Sequence, residues 1–159
     1  MRVNLDGKSQ GDGDTPKPFL QEDSYPSVIQ EISDIEEYKV WNEENKMEEK
    51  MRIKFRVKDG EDKQHELNMY PKPLVTKGSG TYSNSKMYDV LDKAGLLDEF
   101  KKVWEQISVL TDPKAKNAAF VDFLQKNLVN KPCKVMVKTV KKGTPEQYSI
   151  VKEVIRFGE

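Results

Sequence analysis

Hydrophobic and polar residues alternate most cleanly between positions 51 and 58. Met51, Ile53, Phe55 and Val57 fall on one side, and Arg52, Lys54, Arg56 and Lys58 on the other. A period of two over this length predicts a strand with one buried face. Asp59-Gly60 then signals a hairpin turn, lengthened by Glu61-Asp62. The return strand sets His65, Leu67 and Met69 against Gln64, Glu66, Asn68 and Tyr70, and Pro71 and Pro73 end it. Upstream, residues 25–41 form a long strand-like run through Val28, Ile32, Ile35, Tyr38 and Val40. Val28 and Ile32 share a face and Ile35 breaks the phase, so a bulge near Ser33-Asp34 is expected. Residues 42–46 read as a polar turn.

After a Gly/Ser loop expected to be flexible (residues 74–84), the period becomes helical. Ser85 is a plausible N-cap, Met87, Val90, Leu91 and Ala94 mark one face, and Gly95 suits a helix end. A second helix is expected to turn Leu97, Phe100, Trp104 and Ile107 inward. Asp112-Pro113 interrupts, and a third helix uses Phe120, Phe123, Leu124 and Leu128 with Asn117 as a cap. Strand pattern returns at residue 132. Cys133, Val135 and Val137 alternate with Lys134, Met136 and Lys138, and Lys142-Gly143-Thr144-Pro145 turns the chain. Tyr148, Ile150, Val154, Ile155 and Phe157 then complete a last strand, bulged at Val151–Glu153.

Three strands, a helical stretch and two strands is the order of an OB-fold. The expected fold class is mostly β with helices (α+β): an OB-fold-like five-stranded Greek-key barrel with a helical insert, at about residues 85–130, between strands three and four. A long first strand that bends in mid-course would serve both sides of such a barrel. Residues 1–18 hold almost nothing to bury and read as a flexible tail, leaving 19–159 as the domain.

Composition adds little constraint except in charge. A chain of 159 residues suits one domain with a tail. No apolar run approaches the ~20 residues that cross a bilayer, and the first residues lack a secretory signal's apolar core. One cysteine fits a reducing compartment. The expectation is a cytoplasmic protein, in the host cytoplasm if the gene is viral, with no membrane partner. The net charge of zero hides an asymmetry. Residues 1–50 carry six Lys/Arg against thirteen Asp/Glu, a net of −7, and the remainder is +7. A nucleic-acid-binding body beside an acidic segment would look like this; so would an unevenly charged solvated surface.

Catalytic chemistry finds little support. One histidine and one cysteine build no zinc set. His65 and Cys133 both lie on apolar strand faces, where packing is the ordinary role. Gly78-Ser79-Gly80 matches neither the GxxxxGK[ST] nor the GxGxxG phosphate loop. The carboxylates sit in turns and at strand edges as solvated charge. The expectation is no enzyme, no cofactor and no metal.

The basic stripe is the sharpest positive signal. Like charges ~7 Å apart along one strand face repel. Either Glu66 and the acids before Met51 compensate them, or a phosphate backbone does. Bases also need rings to stack on. Tyr70 shares the outward face with the stripe, Trp41 lies between the first two strands, and Tyr82 is in the Gly/Ser loop. Tyr148 opens the last strand beside Lys141 and Lys142, while Lys72 precedes the loop that holds Lys77 and Tyr82. Partial burial at a barrel rim is the rival role for each ring.

Three segments carry a family resemblance: MRIKFRVKDGEDKQHELNMYPKPL, GSGTYSNSKMYDVLDKAGL and LVNKPCKVMVKTVKKGTPEQYSIVKEVIRF. In them the chain resembles the small OB-fold single-stranded DNA-binding proteins of phages and other prokaryotic replicons. The resemblance implies a nonspecific single-strand groove over the second and third strands. Arg52, Lys54, Arg56 and Tyr70 would lie in it, with Lys141 and Lys142 at its rim. It departs in its long helical link and in carrying its acidic segment at the N-terminal side. The expected function is noncatalytic, sequence-nonspecific single-stranded DNA binding in replication, recombination or repair, by a monomer or homodimer. DNA is favoured over RNA, and replication proteins are further partners. The alternative is an accessory or inhibitory protein-interaction module of a replicon.

Overall fold

The computed structural model describes residues 19–40 and 46–158. Phe19 and Leu20, the first of these, lead into a mixed α+β fold; the expected tail at 1–18 lies outside the described residues. The elements run β1 (Ser24–Ile32), β2 (Glu36–Lys39), β3 (Met47–Lys50), β4 (Ile53–Lys58), β5 (Gln64–Met69), α1 (Lys86–Lys93), α2 (Leu97–Ile107), α3 (Pro113–Leu128), β6 (Pro132–Val140) and β7 (Tyr148–Phe157). Five strands form one antiparallel sheet in the order β5-β4-β1-β6-β7, and β2 pairs with β3 in a separate two-stranded ribbon. β5 and β7, the outer strands, lie in contact with each other.

The core follows the alternation. Met51, Ile53, Phe55 and Val57 are fully buried, as are Leu67 and Met69 on β5 and Cys133, Val135 and Val137 on β6. Helices α1 and α3 add Met87, Leu91, Leu124 and Leu128. Burying each such side chain contributes roughly 1.5–3 kcal/mol before entropy is counted. Leu20 is buried too: Ser149 Oγ accepts its N–H at 2.7 Å and donates to its carbonyl at 2.8 Å.

The first strand departs from expectation. Its bulge lies between Ile29 and Glu31, three residues earlier than the sequence suggested. Ile29 and Ile32 therefore both point inward, and Val28 faces outward beside Arg56. The run then breaks at Ser33, whose Oγ accepts the Arg52 N–H at 2.8 Å, and resumes as β2. The last strand bulges where expected, its pairing with β6 slipping between Val151 and Glu153, but it slips a second time between Val154 and Arg156; Ser149, Val151 and Val154 are buried, while Ile150 and Ile155 are only half-buried.

Two helix expectations are corrected. Helix α3 is capped by Asp112, which accepts from Lys114 N, with Pro113 in the first turn. That Pro lacks the N–H a first-turn residue would leave unpaired, so the helix starts a turn before Asn117. On α2 only Phe100 and Ile107 are buried; Trp104 stacks on Phe100 at 5.9 Å but stays 43% exposed. Ser85 does cap α1, accepting from Tyr88 N, and Gly95 follows it at a φ of 71°. The Gly/Ser loop is pinned: Asn84 Oδ1 accepts from Gly78 N at 2.7 Å, and Asn84 Nδ2 donates to Asp89 at 2.9 Å.

Candidate nucleic-acid interface

The basic stripe of β4 faces outward at the centre of a three-strand surface, with β1 on one side and β5 on the other. Its four side chains span about 20 Å at ~3.3 Å per residue. They divide into two pairs with different electrostatics. Arg52 and Lys54 are both held by Glu31 of β1, at 3.2 and 3.7 Å. Arg56 and Lys58 make no ion pair among the described residues. Arg56 stands directly across from Glu66, but Glu66 instead accepts from Gln30 Nε2 at 3.1 Å. Compensation thus comes from Glu31 and covers half of the stripe. Of the acids before Met51, Glu48 is engaged elsewhere, binding Lys50 at 3.1 Å and Lys72 at 3.6 Å. These contacts, first that with Lys50, lower its carboxyl pKa below the usual range.

Beyond Lys58 the sheet adds cations that the sequence reading left out. Pro26 of β1 pairs with Lys134 of β6, and Ser27 with Val57 of β4. This register brings Lys134 level with Lys58 across β1, and Arg156 pairs with Lys134 from β7. Arg56, Lys58, Lys134 and Arg156 surround a groove of about 680 Å³. Pro26, Val28 and Pro132 form its apolar floor, and no carboxylate lines it among the described residues. Lys134 makes no ion pair among the described residues, and Arg156 donates to Gly158 O at 3.2 Å. The clue in sequence was the parity of Lys134 opposite Cys133 and Val135. What it lacked was the pairing that sets β4 and β6 on either side of β1.

Three polar atoms on this side of the sheet are shut off from solvent without a partner: Gln30 Oε1, Arg52 Nε and Asn68 Oδ1. An unpaired buried polar atom costs ~1–3 kcal/mol, and a bound ligand or water would recover it.

The other expected residues are more scattered. Tyr70 is 37% exposed at the end of β5, packed edge-on against Tyr38 at 5.7 Å, and its hydroxyl accepts from Asn68 Nδ2 at 3.3 Å. It lines a shallow depression with Lys50, Lys72 and Lys86. Burial, then the charges of Lys138 and Lys50, lower the Lys86 pKa. Tyr82 is 80% exposed and Lys77 is also exposed, both in the pinned loop. Trp41 lies outside the described residues. Lys141 and Lys142 sit at the far end of β6 from Lys134 and are already engaged. Lys141 is 3.8 Å from Glu146, and Lys142 is 3.0 Å from Glu22. Glu22 also accepts the Thr139 amide, which with Lys142 lowers its pKa. Tyr148 is half-buried opposite Val140. The structure therefore brings Arg56 and Lys58 together with two new partners. It leaves Lys141, Lys142 and Tyr148 outside that groove.

The groove offers binding groups and no evident nucleophile. Cys133 is buried, and burial pushes its thiol up to about 11, so the sulfur stays protonated at neutral pH. His65 is tied to Asp59 Oδ2 at 2.8 Å beside the hairpin turn. No group of three or more His, Cys, Asp or Glu placed to hold a metal occurs among the described residues, and no helix among them is long and apolar enough to cross a membrane. No protein-family model, curated protein or solved structure matches this chain.

Proposed function

We propose that this protein binds single-stranded nucleic acid without catalysis and without sequence preference, with DNA favoured. The observation that carries the reading is the convergence of Arg56, Lys58, Lys134 and Arg156 on one groove whose described lining holds no carboxylate. Uncompensated cations on one face are costly to the fold alone and favourable when a phosphate backbone neutralises them. The strand runs from this groove along β4 toward Lys54, Arg52 and the Tyr38–Tyr70 pair, where a ring is available for a base. The groove's apolar floor accepts sugar and base faces.

The finer fold assignment belongs to the same proposal. β1 lies between β4 and β6, and the outer strands β5 and β7 meet. This supports an OB-like five-stranded barrel whose sheet closes without a full hydrogen-bonded seam, and with it the likeness to replicon single-stranded DNA-binding proteins. Function is argued from the groove, because the fold hosts many activities.

The test is a titration of fluorescent oligo-dT of about 30 nucleotides at low and moderate salt. Tight binding that weakens steeply with salt is expected. Absence of binding at low salt refutes the reading.

A further inference from the structure

A second concavity, of about 730 Å³, lies between α2, α3 and the segment 73–76. Its walls are Leu74, Phe100, Trp104 and Phe120. Trp104 and Leu74 present apolar surface to solvent, at 43% and 39% exposure. Lys101 and Lys116 stand at the rim and make no ion pair among the described residues. The Trp104 indole N–H and the Asn117 side-chain amide have no hydrogen-bond partner there either. Glu105 is the one carboxylate in the lining. The groove is thus apolar inside and rich in unused donors around its edge.

Its wall also carries unused backbone. Ser85 Oγ accepts from Thr76 N and donates to Leu74 O, both at 3.0 Å, and Ser85 N donates to Thr76 O at 2.9 Å. Leu74 and Thr76 are turned toward Ser85. The N–H and C=O of Val75 enter no backbone hydrogen bond among the described residues.

We propose that this groove docks an acidic, hydrophobic peptide segment of a partner protein. Apolar side chains of the segment enter between Phe100, Trp104 and Phe120, and its carboxylates pair with Lys101 and Lys116. Its backbone meets the free groups of Val75, the mode by which extended peptides join a strand. A nucleic acid would satisfy the lysines. It would also stack a base on Trp104, but it has no amide ladder to offer Val75, and the oligo-dT measurement in the charge-reversal variant below separates the two. This site is separate from the groove at Arg56 and Lys134, and it does not depend on what that groove binds.

The experiment is fluorescence anisotropy with the full chain. The probe is a fluorescein-labelled peptide of about 12 residues that alternates Asp or Glu with Phe or Leu. A control peptide carries Lys in place of the acids. Saturable binding of the acidic peptide is expected, together with at least a tenfold loss in the double variant K101E/K116E and in Trp104→Ala. Oligo-dT affinity should be unchanged in both variants. Circular dichroism establishes that they fold, and the charge reversal at the rim serves if Trp104→Ala does not. No saturable binding, equal binding of the Lys-containing control, or full retention in K101E/K116E overturns the proposal. Loss of oligo-dT binding in K101E/K116E without peptide binding also overturns it, and assigns the groove to the nucleic-acid path.

Discussion

Glu31 is the residue whose removal should strengthen binding of a nucleic-acid strand. It is the single carboxylate shared by Arg52 and Lys54, at 3.2 and 3.7 Å. A phosphate contacting those two cations would lie roughly 7 Å from the carboxylate, and at that separation like charges in water repel by ~0.6 kcal/mol. Glu31→Gln should therefore tighten binding about threefold at low salt. The salt dependence is more diagnostic. Four uncompensated cations at the groove and one net charge from the Arg52–Lys54–Glu31 trio give about five neutralised phosphates and a slope of log K against log salt of about −3.5. Glu31→Gln frees one more cation and should steepen the slope to about −4.2.

The converse variants divide the stripe. Arg56→Gln with Lys58→Gln removes two full contacts and should flatten the slope to about −2.1. Arg52→Gln with Lys54→Gln, made in the Glu31→Gln background so that no lone carboxylate is left behind, removes the trio's one net charge and should give about −2.8. Anisotropy of labelled oligo-dT across roughly 50–200 mM salt resolves these differences. Weaker binding by Glu31→Gln would mean that the carboxylate positions the two cations more than it competes with phosphate. A smaller effect of R56Q/K58Q than of R52Q/K54Q would refute the assignment of the groove as the main anchor.

Three further outcomes test the structure itself. A Cβ at Gly78 would collide with backbone atoms of Tyr82, Ser83 and Asn84, so Gly78→Ala should destabilise the fold by ~1–3 kcal/mol in a urea melt; an unshifted midpoint would mean that the loop is not pinned as described. The Cys133 thiol is raised to about 11, so iodoacetamide at about pH 8 should alkylate it at least ~100-fold more slowly in the native protein than in the denatured chain; equal rates would count against its burial. Asp59 is lowered chiefly by its bond to His65, Glu48 chiefly by Lys50 and Glu22 chiefly by the Thr139 amide. A depressed carboxyl contributes stability that is present above its unfolded pKa and is lost as pH falls through the folded one. The melting temperature should therefore decline below about pH 4, and a constant value down to pH 3 would contradict these contacts.

The strands were legible because their information is local. Alternation at 51–58 named the buried face of β4 residue by residue, and the Asp59-Gly60 turn and the paired prolines bounded β5. The errors fall where phase is decided by a partner strand. The bulge in β1 lies between Ile29 and Glu31 because β1 must keep both Ile29 and Ile32 inside while pairing with β4, and no residue in that stretch advertises it. Trp104 was read as core from its spacing with Phe100. The α2–α3 packing buries Phe100 among Phe120 and Phe123 and leaves Trp104 at the margin.

The site was legible by half for the same reason. Arg52, Lys54, Arg56 and Lys58 look equivalent along the chain, and only a cross-strand neighbour separates them. Glu31 lies twenty-one residues from Arg52 and reaches it because the bulge turns that acid toward the first half of the stripe. Lys134 and Arg156 arrive at the other half because β1 is shared by β4 and β6. A cation's value to a phosphate ligand depends on whether it already has an anion, and that depends on pairing between distant strands. The same rule demotes Lys141 and Lys142, the loop lysines that looked most exposed, since Glu146 and Glu22 neutralise them in the free protein. An anionic ligand must first compete for those two, whereas Arg56, Lys58 and Lys134 are available without exchange. The order in which the protein's cations engage a strand should therefore run from the groove outward.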